Sequence, residues 1–452
     1  MPQGYNILHI TVHDLGRHLG CYGARVASPN LDRLAREGLR FDRAYCNSVA
    51  CSPSRMCAMS GRYAHVSGGI GLAHMGWPLD PAVQTVVDVF NQTGHETAHF
   101  GHEHERHPRQ MRYRVEGNRH WDDSWTECAV DDAIAYLRSR PAHQRFYCNV
   151  GTQEVHACRF TVDAIVEGSG PGQYGGRTPA PEVYIPNYVP DTAENRRTLG
   201  GFQSSIRYMD HHVGRLLAAL DASPFADNTM VLFTTDHGIV SDARRDKGTL
   251  WERGTGISLL VRPPRGLRRG QAVPHLVQNI DFLPTFCDAA GIPVPDDCQG
   301  RSFWPLCTGA AYRPHEAVFT ERNFHGEKPT PDQEHYTDLF DPLRGVHTRR
   351  FHYIRAYEPG VKPEPQVWLC REHDGCRPTE YLYDCLQDSM ELVNLARRPE
   401  YAPVLEDLRG RLQDWMQRSD DFLLRGEVPT PPQPVGWGDW PAQEERTPWR
   451  PD

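Results

Sequence analysis

The sequence lacks the marks of several large protein classes. It has no basic excess: 49 lysines and arginines stand against 58 aspartates and glutamates, a net charge of -9. Nucleic acid is therefore not an expected partner. An acidic average still permits a local basic pocket for an anionic ligand. No apolar run approaches the roughly 20 residues that span a bilayer, so no membrane partner is expected. The opening MPQGYNILHITVHD has no basic start followed by an apolar signal core. The 13 cysteines form no close-set disulfide framework and read as reduced thiols. Together these absences predict a cytoplasmic protein. There is no internal repeat either.

What is present is an alternation. Its 452 residues predict one large domain and a smaller one. YNILHITV (5–12), TAHFG (97–101), RFYCNVGT (145–152) and NTMVLFTTDHG (228–238) read as buried strands. SPNLDRLAREGLRF (28–41) reads as a serine-capped helix with a terminal glycine, Gly38, and TVVDVFNQTG (85–94) as a second that stops at Gly94. Residues 194–223 read as a long helix. This pattern predicts an α/β catalytic domain over 1–310, a mostly parallel sheet flanked by helices. RRFHYIRAY (349–357), EYLYDC (380–385) and an amphipathic helix over 400–421 predict a C-terminal α+β subdomain with an antiparallel sheet over 311–425. A Pro- and Trp-rich tail, 426–452, is expected to lie extended on its own surface or on a second copy of the chain.

In an open parallel sheet, ligands bind beyond the carboxyl ends of the strands. Four polar clusters fall at such ends: His13-Asp14, His102-Glu103-His104, Glu154-Val155-His156 and Asp236-His237. A strand-end acid is often only a helix cap, and a buried histidine is often only a core residue. Four clusters on one rim nevertheless predict a metal or acid–base site. Asp14 and Asp236 offer hard oxygens, which suit calcium, magnesium or manganese. His13 and His237 add nitrogen donors, which favour manganese or zinc. GHEHERH (101–107) contains no His-Glu-x-x-His and is not a zinc-protease motif.

Cys51 opens the run CSPSR (51–55). It reads as a buried structural thiol, a thiolate nucleophile or a modification target. The stretch CSPSRMCAMSGRYAH resembles the maturation signature of the type I sulfatases, Cys-x-Pro-x-Arg followed by Ser/Thr-Gly. Here the matching residues are Cys51, Pro53, Arg55 and Ser60-Gly61. NILHITVHDLG, LFTTDHG and LYDCLQDSMELVNLA resemble further parts of that family, so the likeness spans nearly the whole chain. YIPNYVPDTAENRRTLGGFQSSIRYMDHHVGRLL (184–217) resembles the heparan N-sulfatase branch.

The resemblance implies the alkaline-phosphatase-like fold and hydrolysis of a sulfate ester or N-sulfamate of a sulfated sugar of the glycosaminoglycan type. It implies that Cys51 is converted by a maturation enzyme to formylglycine, whose hydrate attacks sulfur. Asp14, Asp236, His237 and residue 51 would share one divalent ion, calcium by resemblance. His13 stands where the family has a carboxylate, which opens the ligand set to manganese or zinc. Arg55 would hold the nucleophile, His104 would orient it, and His156 would protonate the leaving group. Lys247 would hold a sulfate oxygen, although on sequence alone it reads as a surface charge. His102 stands at a position where the family has lysine. A phosphonate monoester or phosphodiester hydrolase of the same fold is the alternative enzyme. An inactive glycan-binding relative with an intact Cys51 thiol is the alternative of another class. Loops 105–125, 157–185 and 323–345 are expected to contact the substrate.

Overall fold

Seven consecutive buried residues, Asn6–Val12, form β1 near the middle of the larger sheet. The computed structural model describes residues 4–105, 111–118, 125–156, 182–239, 246–324, 340–357, 378–426 and 429. The other strands of this sheet are β2 (Leu39–Tyr45), β3 (Glu96–Gly101), β4 (Val115–Asn118), β5 (Phe146–Gly151), β6 (Thr229–Thr235), β7 (Leu259–Arg262) and β8 (Gln271–Gln278). Their order is β4-β3-β5-β1-β6-β7-β2-β8. The sheet is mostly parallel, as expected, and β7 alone runs against both neighbours, β6 and β2. Strands β1, β5 and β6 are buried throughout, because helices cover both faces of the sheet.

Helices α1 (Pro29–Glu37), α4 (Thr126–Ser139) and α5 (Ala193–Asp221) pack into the apolar cluster on one face. Helices α2 (Cys51–Ser60), α3 (Val86–Gln92) and α6 (Phe282–Ala290) contribute to the other. The start of α3 is a capping box: the Asp88 carboxylate accepts the Thr85 N–H at 2.9 Å, while Asp88 N–H points back to the Thr85 hydroxyl.

The first helix ends at Glu37, ahead of its terminal glycine Gly38, and Leu39–Tyr45 is a strand. Gly38 is extended there, and a Cβ on it would stand 2.3 Å from the Val261 carbonyl, so the chain turns away against β7. The expected serine cap is corrected: Ser28 stands at the N-cap position, but its side chain makes no capping bond. Its hydroxyl donates to Asp32 at 3.1 Å and accepts the Gly20 N–H at 2.9 Å.

The second sheet is antiparallel, in the order β12-β11-β10-β9, with β9 (Ala317–Phe324), β10 (Phe340–Thr348), β11 (Phe351–Ala356) and β12 (Glu380–Asp384). Strands β9 and β10 went unread in the sequence. Helix α7 (Ala402–Arg418) sets Leu405, Leu408, Leu412, Trp415 and Met416 into a core shared with Val346, Tyr353 and Leu382. The sheets meet where Ser48, just ahead of α2, bridges to Glu321 of β9. Among the described residues no helix is long and apolar enough to cross a membrane. Residues 430–452 of the tail lie outside the described residues. So do 106–110, 119–124, 157–181 and 325–339 of the loops expected to meet the substrate.

Candidate active site

The adjacent parallel strands β1 and β6 end together, which brings His13-Asp14 beside Asp236-His237. Asp14 has a left-handed backbone, φ 51°, a conformation that aspartate tolerates better than most residues. The turn aims its N–H at Asp236 Oδ1, at 3.0 Å, and the His237 N–H reaches the same oxygen at 2.9 Å. Asp236 Oδ2 lies 3.3 Å from Arg55 Nε and 2.9 Å from His13 Nδ1. Arg55 Nη2 also donates to the Val12 carbonyl at 3.4 Å.

Asp14 faces a cation. Lys247 Nζ donates to both its carboxylate oxygens, at 2.9 and 3.1 Å. The same ammonium lies 3.5 Å from His156 Nε2, and His237 Nε2 lies 3.3 Å from Asp14 Oδ1. Far from being a surface charge, the Lys247 side chain is only 17% exposed.

Helix α2 begins at Cys51, and every residue of it is buried. The Cys51 thiol lies 3.2 Å from His237 Nε2. Donor atoms of Asp14, Cys51, Asp236 and His237 all fall within 4.8 Å of one another, and so do those of His13, Asp14, Cys51 and His156. Burial pushes the Cys51 thiol up from 9.0 to about 12, although Lys247 opposes the shift. At neutral pH residue 51 is thus a protonated thiol, a poor nucleophile without modification.

The carboxylates behave oppositely. Burial would raise Asp14, but Lys247 and then His156 and His237 bring it down to about 2. Burial would likewise raise Asp236, and His237, His13 and Arg55 hold it well below the usual range. Burial favours a neutral Lys247, yet Asp14 keeps it charged. Burial lowers His13 to about 4, helped by Arg55, so its imidazole is neutral. Two carboxylates, imidazole nitrogens and the Cys51 sulfur gather in one cluster. That donor set fits a divalent cation, with oxygen for a hard ion and nitrogen for a borderline one.

The remaining predicted residues divide. His102 joins the site: its ring centroid is 4.8 Å from that of His13, and Gln153 Nε2 lies 3.3 Å from its Nδ1. Burial and then His13 hold it well below its ordinary value, so it is no substitute for a charged lysine. His104 packs beside His102, with ring centroids 5.3 Å apart. Glu154 turns elsewhere: its carboxylate accepts the Thr126 N–H at 2.9 Å and the Thr126 hydroxyl at 2.5 Å, which anchors the start of α4. Here the strand-end acid does hold a helix terminus.

Sequence reasoning missed Ser54 and Asn279. The Ser54 hydroxyl donates to the Asp236 carbonyl. Asn279 Nδ2 donates to the Ser54 carbonyl and hydroxyl, both at 2.9 Å, and so ties α2 to the site. Asn279 directly follows β8. The strand-end rule that found the other clusters would have found it had β8 been read as a strand.

Comparison with known proteins identifies the chain's family. A sulfatase family model matches residues 5–292, and a model described as N-sulphoglucosamine sulphohydrolase, C-terminal, matches 243–366. The chain is 28% identical to the human N-sulphoglucosamine sulphohydrolase, over 92% of this chain and 90% of that protein. It is 25% identical to an ulvan-active sulfatase of Formosa agariphila, over 93% and 76%. Its fold is shared with a 2-O GAG sulfatase, with a TM-score of 0.71 at 23% identity over 96% of this chain and 98% of that one. The phosphonate monoester hydrolase of Silicibacter pomeroyi also shares it, with a TM-score of 0.68 at 19% identity over 93% and 96%. A single model spanning most of the larger sheet, and relatives that run through both sheets, establish that the chain belongs to the sulfatase family.

Proposed function

We propose that the chain hydrolyses the sulfamate of a sulfated sugar of the N-sulfoglucosamine type, with residue 51 as the nucleophile after Cys51 has become formylglycine. The observation that carries the mechanism is the position of Cys51. Its un-ionised thiol stands at the start of a buried helix, among the donor atoms of Asp14, Asp236 and His237. The substrate reading is supported by the match of residues 243–366 and by the human relative.

Asp14, Asp236, His237 and residue 51 would hold the ion, with His13 beside them. The formylglycine hydrate supplies an oxygen nucleophile, and a divalent ion lowers the pKa of a bound hydroxyl and neutralises sulfate oxygens. His237 in the donor set, with His13 next to Asp236, favours manganese or zinc over calcium. Lys247, kept charged by Asp14, binds a sulfate oxygen. Arg55, anchored on Asp236, offsets negative charge near residue 51. His104 orients the nucleophile, and His102 offers the sulfate a neutral hydrogen-bonding rim. His156 donates the proton that the leaving nitrogen needs. Burial brings His156 down to about 3, with Lys247 adding to that effect and Asp14 opposing it. It is therefore neutral until an anionic sulfate arrives and raises it.

Two measurements test this reading. Peptide mass spectrometry should find residue 51 as an aldehyde in active protein. Activity from wholly unmodified thiol would end the mechanism, and an inactive protein with an intact thiol would indicate a binding relative. Turnover of matched sulfamate, sulfate ester and phosphonate should favour the sulfamate. A preference for the phosphonate would transfer the chain to the alternative hydrolase.

A further inference from the structure

We infer that the small antiparallel sheet positions Lys247, and that Glu391 is the residue through which it acts. The inference rests on the reading of Lys247 as the sulfate-binding cation. Glu391 lies in the turn that follows β12, is 1% exposed and has a left-handed backbone, φ 55°. A buried glutamate in that conformation is unusual and is held there by its surroundings. One carboxylate oxygen accepts the Glu252 N–H at 2.7 Å, and the other lies 2.5 Å from His352 Nδ1 of β11.

Glu252 opens a one-turn helix, Glu252–Thr255, which follows the Lys247 loop. The second sheet grips this turn at two further points. Trp251 Nε1 donates to the Tyr383 hydroxyl at 3.0 Å, and Thr255 Oγ1 lies 3.3 Å from His347 Nε2. The gripped turn presses in turn on the catalytic rim. The Gly238 N–H donates to the Gly254 carbonyl at 2.9 Å. A Cβ on Gly238 would stand 1.7 Å from the Arg253 carbonyl, so only glycine allows His237 and the turn to approach this closely. The Lys247 N–H donates to the Ile239 carbonyl at 2.9 Å, next to that rim, and the Gly248 N–H to the carbonyl of Val49, two residues before Cys51, at 3.1 Å. Glu391 thus fixes one end of a short segment whose other end carries Lys247. Displacing a catalytic group by about 1 Å can cost on the order of a hundredfold in rate.

The test is a double-mutant cycle on matured enzyme with an aryl sulfate, joined to hydrogen exchange by mass spectrometry. Glu391→Ala should lower kcat/KM by about tenfold to a hundredfold. It should have little further effect in a Lys247→Ala background, because both changes act on one group. Glu391→Gln keeps an acceptor for the Glu252 N–H and should recover most of the loss. Should the alanine variant fail to fold, Glu391→Asp serves the cycle, since it is one methylene too short to reach both partners. Exchange over residues 246–256 should rise in the Glu391 variant without a rise in the larger sheet. Losses that multiply across the cycle, or unchanged exchange over 246–256, would overturn the inference. A wild type inactive on every sulfate ester and every sulfamate would remove the proposed activity alone, and the exchange measurement would still decide whether Glu391 holds the Lys247 segment.

Discussion

Two regions of this molecule bury charge, and they do so for different ends. At the rim of the larger sheet, Asp236 is held close enough to Asp14 to raise it, and their donor atoms converge with those of Cys51 and His237. In the small sheet, charges alternate. The Glu321 carboxylate accepts His65 at 3.0 Å and Asn323 at 2.9 Å and lies 3.7 Å from Arg344, which forks onto Asp421 at 2.6 and 3.0 Å. Both clusters are buried, and both depress carboxylate pKa values. Burial and shifted titration therefore do not separate a working site from a structural one. Convergence does: at the rim two carboxylates, an imidazole nitrogen and the Cys51 sulfur face a common point, whereas the charges of the small sheet alternate and pair with one another.

The comparison breaks first at residue 51. Cys51→Ala should abolish turnover while the thermal midpoint stays near that of the wild type; surviving activity would show that the converging cluster does not work through its nucleophile. Next come the carboxylates. Asp14→Ala and Asp236→Ala should each lose bound metal and turnover together, as elemental analysis and assay will read. Full metal content in both variants would make this cluster as self-sufficient as the other. His156→Ala should cost about two to four powers of ten on the sulfamate and clearly less on nitrophenyl sulfate, whose leaving group needs no proton. Equal losses on both substrates would deny His156 the acid role.

The smallest effect belongs to the alternating cluster. Burial would raise Glu321, but His65 and Arg344 bring it from 4.5 to about 2. Its folded pKa is depressed, so its stabilisation is complete above about pH 4.5 and is lost as pH falls towards 2. The shift corresponds to about 3 kcal/mol at neutral pH. Glu321→Gln should be less stable than the wild type by about that much at pH 7 in denaturant titrations, and the gap should close in acid. Turnover per folded molecule should not change. A loss of turnover at unchanged stability would move Glu321 into the working site and blur the distinction.

The sequence made the larger sheet legible where a strand is buried on both faces, as at β1, β3, β5 and β6, because continuous apolar runs ending in polar residues mark such strands. It left β2, β7 and β8 unread. β7 spans only four residues, and β8 is mostly exposed over its first half. The Cys51 signature named a family because its residues lie within one helix and its C-terminal glycine, where spacing along the chain is also spacing in space. Ser54 and Asn279 meet across 225 positions, so no local pattern announces them.

Residue order alone therefore determined the strands that end at the rim, the signature that opens at Cys51 and the family to which the chain belongs. Only the tertiary structure decided what the polar residues at those ends do. It turned Glu154 away to a helix terminus and brought Lys247 in from an apparent surface onto Asp14. It also set Glu391 against Glu252. The reason is physical. A charged side chain takes its role from the partners that pack around it after folding, and those partners come from strands and turns that are hundreds of residues apart.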